Sequence, residues 1–155
     1  MAKQPRQNDR RILNRRARYE YHIVETVEAG IVLKGSEVKS LRDGRASIEE
    51  AYARIANGQV VLIGCNIQTY PPATTRNHDP LRDRRLLLHH REIRKLLAKV
   101  TQAGYTLVPL SIFFNDRGLA KVELALVRGK THADKREDIR KREHQRDIDR
   151  AMRRK

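Results

Sequence analysis

The sequence predicts a mainly β fold with appended helices: a compact antiparallel β-barrel that carries a basic C-terminal tail. Three observations lead there. Two pairs of β-rich runs are each joined by a turn signature, Asn57-Gly58 in one case and Asn115-Asp116-Arg117-Gly118 in the other. Between them Ile93, Leu96, Leu97 and Val100 recur at helical spacing. From Gly129 onward apolar residues become scarce while charge persists, so that stretch has little to bury.

The elements follow in chain order. Tyr19, Tyr21 and Ile23 alternate with Glu20, His22 and Val24, a period of two, and strand character continues from Val27 to Leu33. A long strand bent at Gly30 is expected. Residues 35–42 read as a short helix with Ser36 as N-cap and Gly44 just past its end. Residues 51–56 and 59–67 then flank Asn57-Gly58, the strongest short-range hairpin signal, because both turn positions call for a positive φ.

Residues 69–83 hold Pro71, Pro72 and Pro80 and are too long for a simple connector, which makes the loop either functional or mobile. The helix that carries Ile93 is amphipathic and ends at Gly104; its other face presents Arg91, Arg94, Lys95 and Lys99. Residues 105–114 and 119–127 form the second hairpin, with Pro109 pushing its first strand toward an edge or a bulge. An OB-type barrel is the first choice for this order of elements, which leaves another small barrel open.

Charge divides the chain into three parts. Residues 1–18 carry seven Lys/Arg against one acid, residues 129–155 carry eleven against six, and the 110 residues between them carry sixteen against twelve. We therefore read 1–18 as a basic N-terminal arm, 19–128 as the barrel and 129–155 as a basic tail. A mildly basic body with two basic arms suits a polyanionic partner, and nucleic acid is the first candidate. The single cysteine, Cys65, lies in an apolar run and reads as a buried core thiol, which fits a reducing compartment. The polar N-terminus and short apolar runs point to a soluble, cytoplasmic chain with no membrane association.

Catalysis and metal binding find little support. His89 and His90 are adjacent and would diverge from either a strand or a helix, and no paired-ligand spacing accompanies them or His22, His78, His132 and His144. Phosphate-loop and dinucleotide glycine motifs are missing. His78-Asp79 reads as a turn former rather than a general-base pair. No enzyme activity, catalytic residue, metal or cofactor is expected.

The kind of nucleic acid can be narrowed. Aromatic residues are few, so a stacking platform for single strands is disfavoured. Basic residues cluster instead around Asn14, Arg15, Arg16 and Arg18, from Lys34 to Arg42, and from Arg76 to Arg85, an arrangement suited to the backbone and shape of a folded RNA. In the tail Glu137 and Lys141, Asp138 and Arg142, and Asp149 and Arg153 form i, i+4 pairs with the acid first, which supports a helix weakly. Its apolar positions, Ile139, Ile148, Ala151 and Met152, offset little of the ordering cost of roughly 1 to 2 kcal/mol per residue. A tail disordered when free and helical on a partner is expected.

Four blocks carry a resemblance: 14–21 (NRRARYEY), 28–42 (EAGIVLKGSEVKSLR), 77–89 (NHDPLRDRRLLLH), and Gly129-Lys130 followed by Asp134-Lys135-Arg136. They resemble the signature blocks of the SsrA-binding protein family, also called small protein B (SmpB). The resemblance implies a bacterial OB-barrel protein that binds the tRNA-like domain of transfer-messenger RNA and delivers it to stalled ribosomes in trans-translation. The body would stand in for the missing anticodon arm. The tail would become helical in the empty message channel beside the decoding centre and ribosomal RNA. Elongation factor Tu would travel with the aminoacylated RNA, and the free protein would be a monomer. A general structured-RNA or ribosomal RNA-binding protein is the alternative.

Carried onto this sequence, the resemblance makes Asn14, Glu28, Lys34, Gly35, Glu37, Lys39 and Arg42 RNA-facing, and Asn77, His78, Arg82, Arg84, Arg85 and Leu87 likewise. Arg15, Arg16 and Arg18 join them from the basic cluster. Glu28 would accept hydrogen bonds from base or ribose or orient a nearby Arg. Leu87 reads as core or as an apolar platform, and core is the stronger reading outside the resemblance. In the tail the expected ribosome-facing residues are Lys130, His132, Lys135, Arg136, Ile139, Arg140, Lys141, Ile148 and Met152. The family commonly places an aromatic residue or His directly before Asp-Lys-Arg, whereas this chain has Ala133 there and His132 one position earlier.

Overall fold

The computed structural model describes residues 10–153. Residues 1–9 of the basic arm and the last two residues of the tail lie outside the described residues. The elements run β1 (Ile12–Leu13), α1 (Ala17–Glu20), β2 (Tyr21–Ile31), α2 (Gly35–Arg42), β3 (Ala46–Ser47), β4 (Tyr52–Ala56) and β5 (Gln59–Ile63). They continue with β6 (Asn66–Ile67), β7 (Arg84–Leu87), α3 (His90–Val100), β8 (Tyr105–Phe114), β9 (Ala120–Gly129) and α4 (His132–Arg153). The architecture is mainly β with a long C-terminal helix.

Strand pairing is antiparallel throughout and follows the order β8-β4-β5-β7-β2-β9, after which β9 pairs with β8 again. Each of those six strands therefore has a partner on both sides. β1 adds to β8 through Ile12↔Ile112 and Leu13↔Ser111, so this part of the N-terminal segment is seated on the sheet. β3 and β6 form a separate two-stranded ladder.

The core explains the arrangement. Ala29, Ile31, Val60, Leu62, Leu86, Leu107, Ile112, Val122, Leu124 and Leu126 point inward from the strands, and α2 and α3 cover them with Leu41, Ile93 and Leu96. Full burial of such a side chain contributes about 1.5 to 3 kcal/mol. β9 is apolar on both faces from Leu124 to Val127 because Ala125 and Val127 pack with Ala17, Val108 and Leu110 in a second cluster. Cys65 is fully buried in the main core, and desolvation pushes its thiol up to about 11.

Several local expectations hold, and three need correction. Asn57 and Gly58 take φ of 52° and 69°, the paired left-handed conformations of a type I′ hairpin turn. The β8–β9 register shifts between Pro109 and Ser111, where proline has no amide to donate. The bend expected at Gly30 is instead an irregularity between Ile23 and Glu25 in the β2–β9 register. Tyr19 and Glu20 belong to the helical turn α1, not to the strand. Lys34, rather than Ser36, stands at the N-cap of α2, because Ser36 is drawn into a bond with His78.

Gly64 has φ of +76°, and a Cβ there would lie 3.0 Å from the Glu50 carbonyl oxygen. Gly58 has φ of +69° with open space around it. Gly58→Ala should cost about 1 kcal/mol of backbone strain, and Gly64→Ala about 2 kcal/mol or more because the carbonyl must also shift. Urea midpoints of the two variants measure this; equal midpoints would contradict the close approach at Gly64.

Candidate nucleic-acid interface

α2 turns Ser36, Glu37, Ser40 and Leu41 inward and leaves Lys34 and Lys39 outside. Glu37 is 0% exposed and so is Arg84. Oε2 of Glu37 accepts hydrogen bonds from the Lys34 amide at 2.6 Å and from Nη2 of Arg82 at 2.7 Å. Oε1 accepts from Nε of Arg82 at 3.1 Å and Nε of Arg84 at 2.9 Å. Arg84 also donates to the carbonyls of Cys65 at 2.6 Å and Pro80 at 3.1 Å. Burial alone would raise the Glu37 carboxyl, but the Arg82 and Lys34 hydrogen bonds and the Arg84 charge outweigh it and hold it below its ordinary value. Arg82 is raised by its hydrogen bonds to Glu37.

The same network fixes the proline-rich loop. Asn77 donates to the Tyr70 carbonyl at 2.8 Å and accepts from the Tyr70 amide at 3.0 Å. His78, 4% exposed, donates from Nε2 to the Ile67 carbonyl at 2.8 Å, so Nδ1 accepts from the Ser36 hydroxyl, also at 2.8 Å. The loop is thus braced from within. Asn14 does comparable work near the N-terminus: its Nδ2 donates to the carbonyls of Ile48 and Pro109, and its Oδ1 accepts from the Ala17 amide.

Outside the brace lies the surface it supports. Lys34, Gly35, Lys39 and Arg76 line a groove of about 470 Å³ between α2 and residues 72–76, with Lys39 Nζ held 5.4 Å from the Tyr70 ring centroid. A second hollow of about 390 Å³ is formed by Glu28, Gly30, Leu87, His89, Glu92 and Lys121, with further lining from Leu88. Leu87 is 50% exposed, which corrects the reading of it as core: β7 alternates Arg84 in, Arg85 out, Leu86 in, Leu87 out. Gly30 permits this packing, since a Cβ there would stand 3.2 Å from Leu87 Cβ. Arg15, Arg16, Arg18 and Arg85 are exposed, while Arg42 is half-buried with its guanidinium 5.5 Å from the Phe114 ring centroid.

Apart from Arg42, half-buried against Phe114, the expected site residues therefore fall into two groups. Asn14, Asn77, His78, Glu37, Arg82 and Arg84 are bonded within the fold, whereas Arg15, Arg16, Arg18, Glu28, Lys34, Gly35, Lys39, Arg85 and Leu87 face outward. Lys121, 4.0 Å from Glu28, was not singled out by sequence reasoning. Its place becomes visible only once β9 is registered on β2, where Lys121 pairs with Gly30.

The root of the tail is tied to the body. The Lys130 amide donates to the Glu20 carbonyl at 3.0 Å, and its Nζ donates to the Arg18 carbonyl at 2.9 Å and to Asp138. Asp134 accepts from the Thr131 hydroxyl and amide, capping α4, and lies 3.4 Å from His22. The Thr131 hydroxyl and amide, then His22, lower the Asp134 carboxyl; Lys130 lowers that of Asp138. Lys135 sits over the Tyr19 ring.

Beyond this root α4 buries none of its residues. His132 and Ala133 are exposed in its first turn, and Arg136, Ile139, Arg140, Lys141, Ile148 and Met152 are exposed farther along. Of the three expected i, i+4 ion pairs, Glu137–Lys141 forms at 2.9 Å. Asp138 turns to Lys130 instead of Arg142, and Asp149 accepts from Gln145 instead of pairing with Arg153. Among the described residues no group of His, Cys, Asp or Glu is placed to hold a metal, and no helix is long and apolar enough to cross a membrane.

Comparison with known proteins is consistent along the chain. Residues 11–154 match the family described as SmpB protein. The SsrA-binding proteins of Moorella thermoacetica and Thermobifida fusca are each 57% identical, over 140 and 141 residues, covering 90% and 91% of this chain and 90% and 88% of theirs. That of Desulforamulus reducens is 53% identical over 140 residues, 90% of this chain and 87% of its own. A solved structure described as "tmRNA-SmpB: a journey to the center of the bacterial ribosome" is 50% identical with a TM-score of 0.68, covering 84% of this chain and 94% of that one.

Glu37→Gln keeps the shape and removes the charge, so two guanidiniums lose their carboxylate. We expect a loss of about 3 to 5 kcal/mol at neutral pH in urea unfolding. The folded-state pKa of Glu37 lies below its ordinary 4.5, so its contribution is present above that value and is lost as pH falls through the folded pKa. The gap between wild type and variant should narrow as pH falls through the folded pKa of Glu37; a gap unchanged by acid would argue against a charge effect.

Proposed function

This chain belongs to the SmpB family, and on that premise we propose that it binds transfer-messenger RNA and delivers it to stalled ribosomes for trans-translation. The observation that carries this is the 50% identity, over 84% of the chain, to a structure described as tmRNA-SmpB in the bacterial ribosome. The protein acts by binding rather than by catalysis, in the cytoplasm, and reaches the ribosome with aminoacylated RNA and elongation factor Tu.

The six-strand pairing circuit supports an OB-type barrel as the RNA-binding body. In this reading Lys34, Lys39, Arg85 and the 15–18 arginines meet phosphates of the tRNA-like domain. Leu87 offers an apolar platform, and Glu28 accepts hydrogen bonds from ribose or base. Asn14, Glu37, Asn77, His78, Arg82 and Arg84 hold that surface in shape. Residues 129–155 enter the vacant message channel with the basic face of α4 toward ribosomal RNA. Free in solution, the tail beyond its root frays, because α4 has no buried residue to offset chain ordering.

Competition binding tests the specificity: unlabelled tRNA-like domain should displace the labelled domain far better than bulk tRNA does. Equal displacement would favour a general structured-RNA binder. Truncation after Arg128 should leave binding of the tRNA-like domain nearly intact and abolish tagging on stalled ribosomes; loss of both together would contradict the division of labour between body and tail.

A further inference from the structure

α3 carries an unassigned basic stripe. Arg91, Arg94 and Lys95 are exposed and share one helix face with the exposed Ala98, at i, i+3, i+4 and i+7. The opposite face seats Ile93 and Leu96 in the core. From Arg91 to Lys95 the stripe rises about 6 Å along the helix axis, and its long side chains extend that reach to more than one phosphate.

Acids near it are already occupied. Glu92 accepts from the His89 amide at 3.1 Å, and Glu25, which shares a cleft with Lys95, is paired with Lys99 at 2.5 Å. Among the described residues Arg91, Arg94 and Lys95 make no ion pair. α3 has no Phe, Tyr or Trp, so it offers cations without a broad stacking platform. It also lacks the large apolar centre of a protein interface, since only Leu97 of its apolar stripe is exposed, at 41%. At its N-terminal end His89 and Glu92 line the same hollow as Glu28, Leu87 and Lys121, so the stripe continues that surface.

We propose that Arg91, Arg94 and Lys95 form a second, sequence-independent phosphate-binding stripe that extends the grip on the tRNA-like domain from the Glu28–Leu87 hollow along α3. This inference rests on the RNA-binding reading above. Phosphate contacts position an RNA without reading its sequence, so they add affinity and salt dependence while leaving discrimination to the neighbouring surface.

The test uses the full chain with R91Q, R94Q and K95Q combined, and a second variant, R91K/R94K/K95R, that keeps the charge. Affinity for the tRNA-like domain should fall on the order of tenfold, and the slope of log affinity against log salt should lessen by about 2, from three contacts of roughly 0.7 to 0.9 each. The preference over bulk tRNA should stay unchanged, and the charge-keeping variant should behave as wild type. An unaltered slope, lost discrimination, or weakened binding to ribosomes alone would each overturn the proposal. Thermal unfolding checks that both variants fold, which is expected at exposed positions. Wild-type competition with bulk tRNA reports separately on the underlying reading, so the two failures are distinguishable.

Discussion

One buried carboxylate organises the working surface. Glu37 sits at 0% exposure between two guanidiniums, and its desolvation is tolerable only because every lone-pair direction meets a donor. Through Arg84 it reaches the carbonyls of Cys65 and Pro80, and through Arg82 it holds the far end of the proline-rich loop. Strand, helix and loop therefore share one electrostatic joint, and the outward lysines of α2 are placed relative to the loop by it. One carboxylate facing two arginines also leaves a formal positive charge beneath an already basic surface.

What the sequence disclosed depended on how local its causes were. Asn57-Gly58 announced its hairpin because the two residues themselves tolerate the required backbone, and Pro109 marked its irregularity because it lacks a donor. The α3 helix was legible from spacing alone. Ser36 misled as a cap because its partner, His78, is 42 residues away. Gly30 suggested a bend when its smallness serves contact with Leu87, and the true irregularity near Val24 has no special residue to signal it.

The candidate site was legible as a list of residues but not as an arrangement of bonded and outward-facing groups. Hydropathy places arginine outside and leucine inside, yet β7 buries Arg84 and exposes Leu87, an inversion possible only because Glu37 arrives from another element. Residues that a family pattern groups together thus separate into a bonded frame and a free face. In the proposed reading, a change in the frame alters recognition indirectly, through the position of the outward groups it supports, and a change in the free face acts on the partner directly.

The anchorage at Lys130 gives α4, once a partner holds it helical, the mechanics of a lever. Its pivot is held by carbonyls of Arg18 and Glu20, while the 22-residue helix beyond extends about 33 Å. A rotation of about 10° at the pivot swings the tip by about 6 Å, roughly one helical pitch. Small adjustments where α1 meets the strand behind it therefore become large displacements at Met152, so the body can steer the distant end of the chain without any change inside the helix itself.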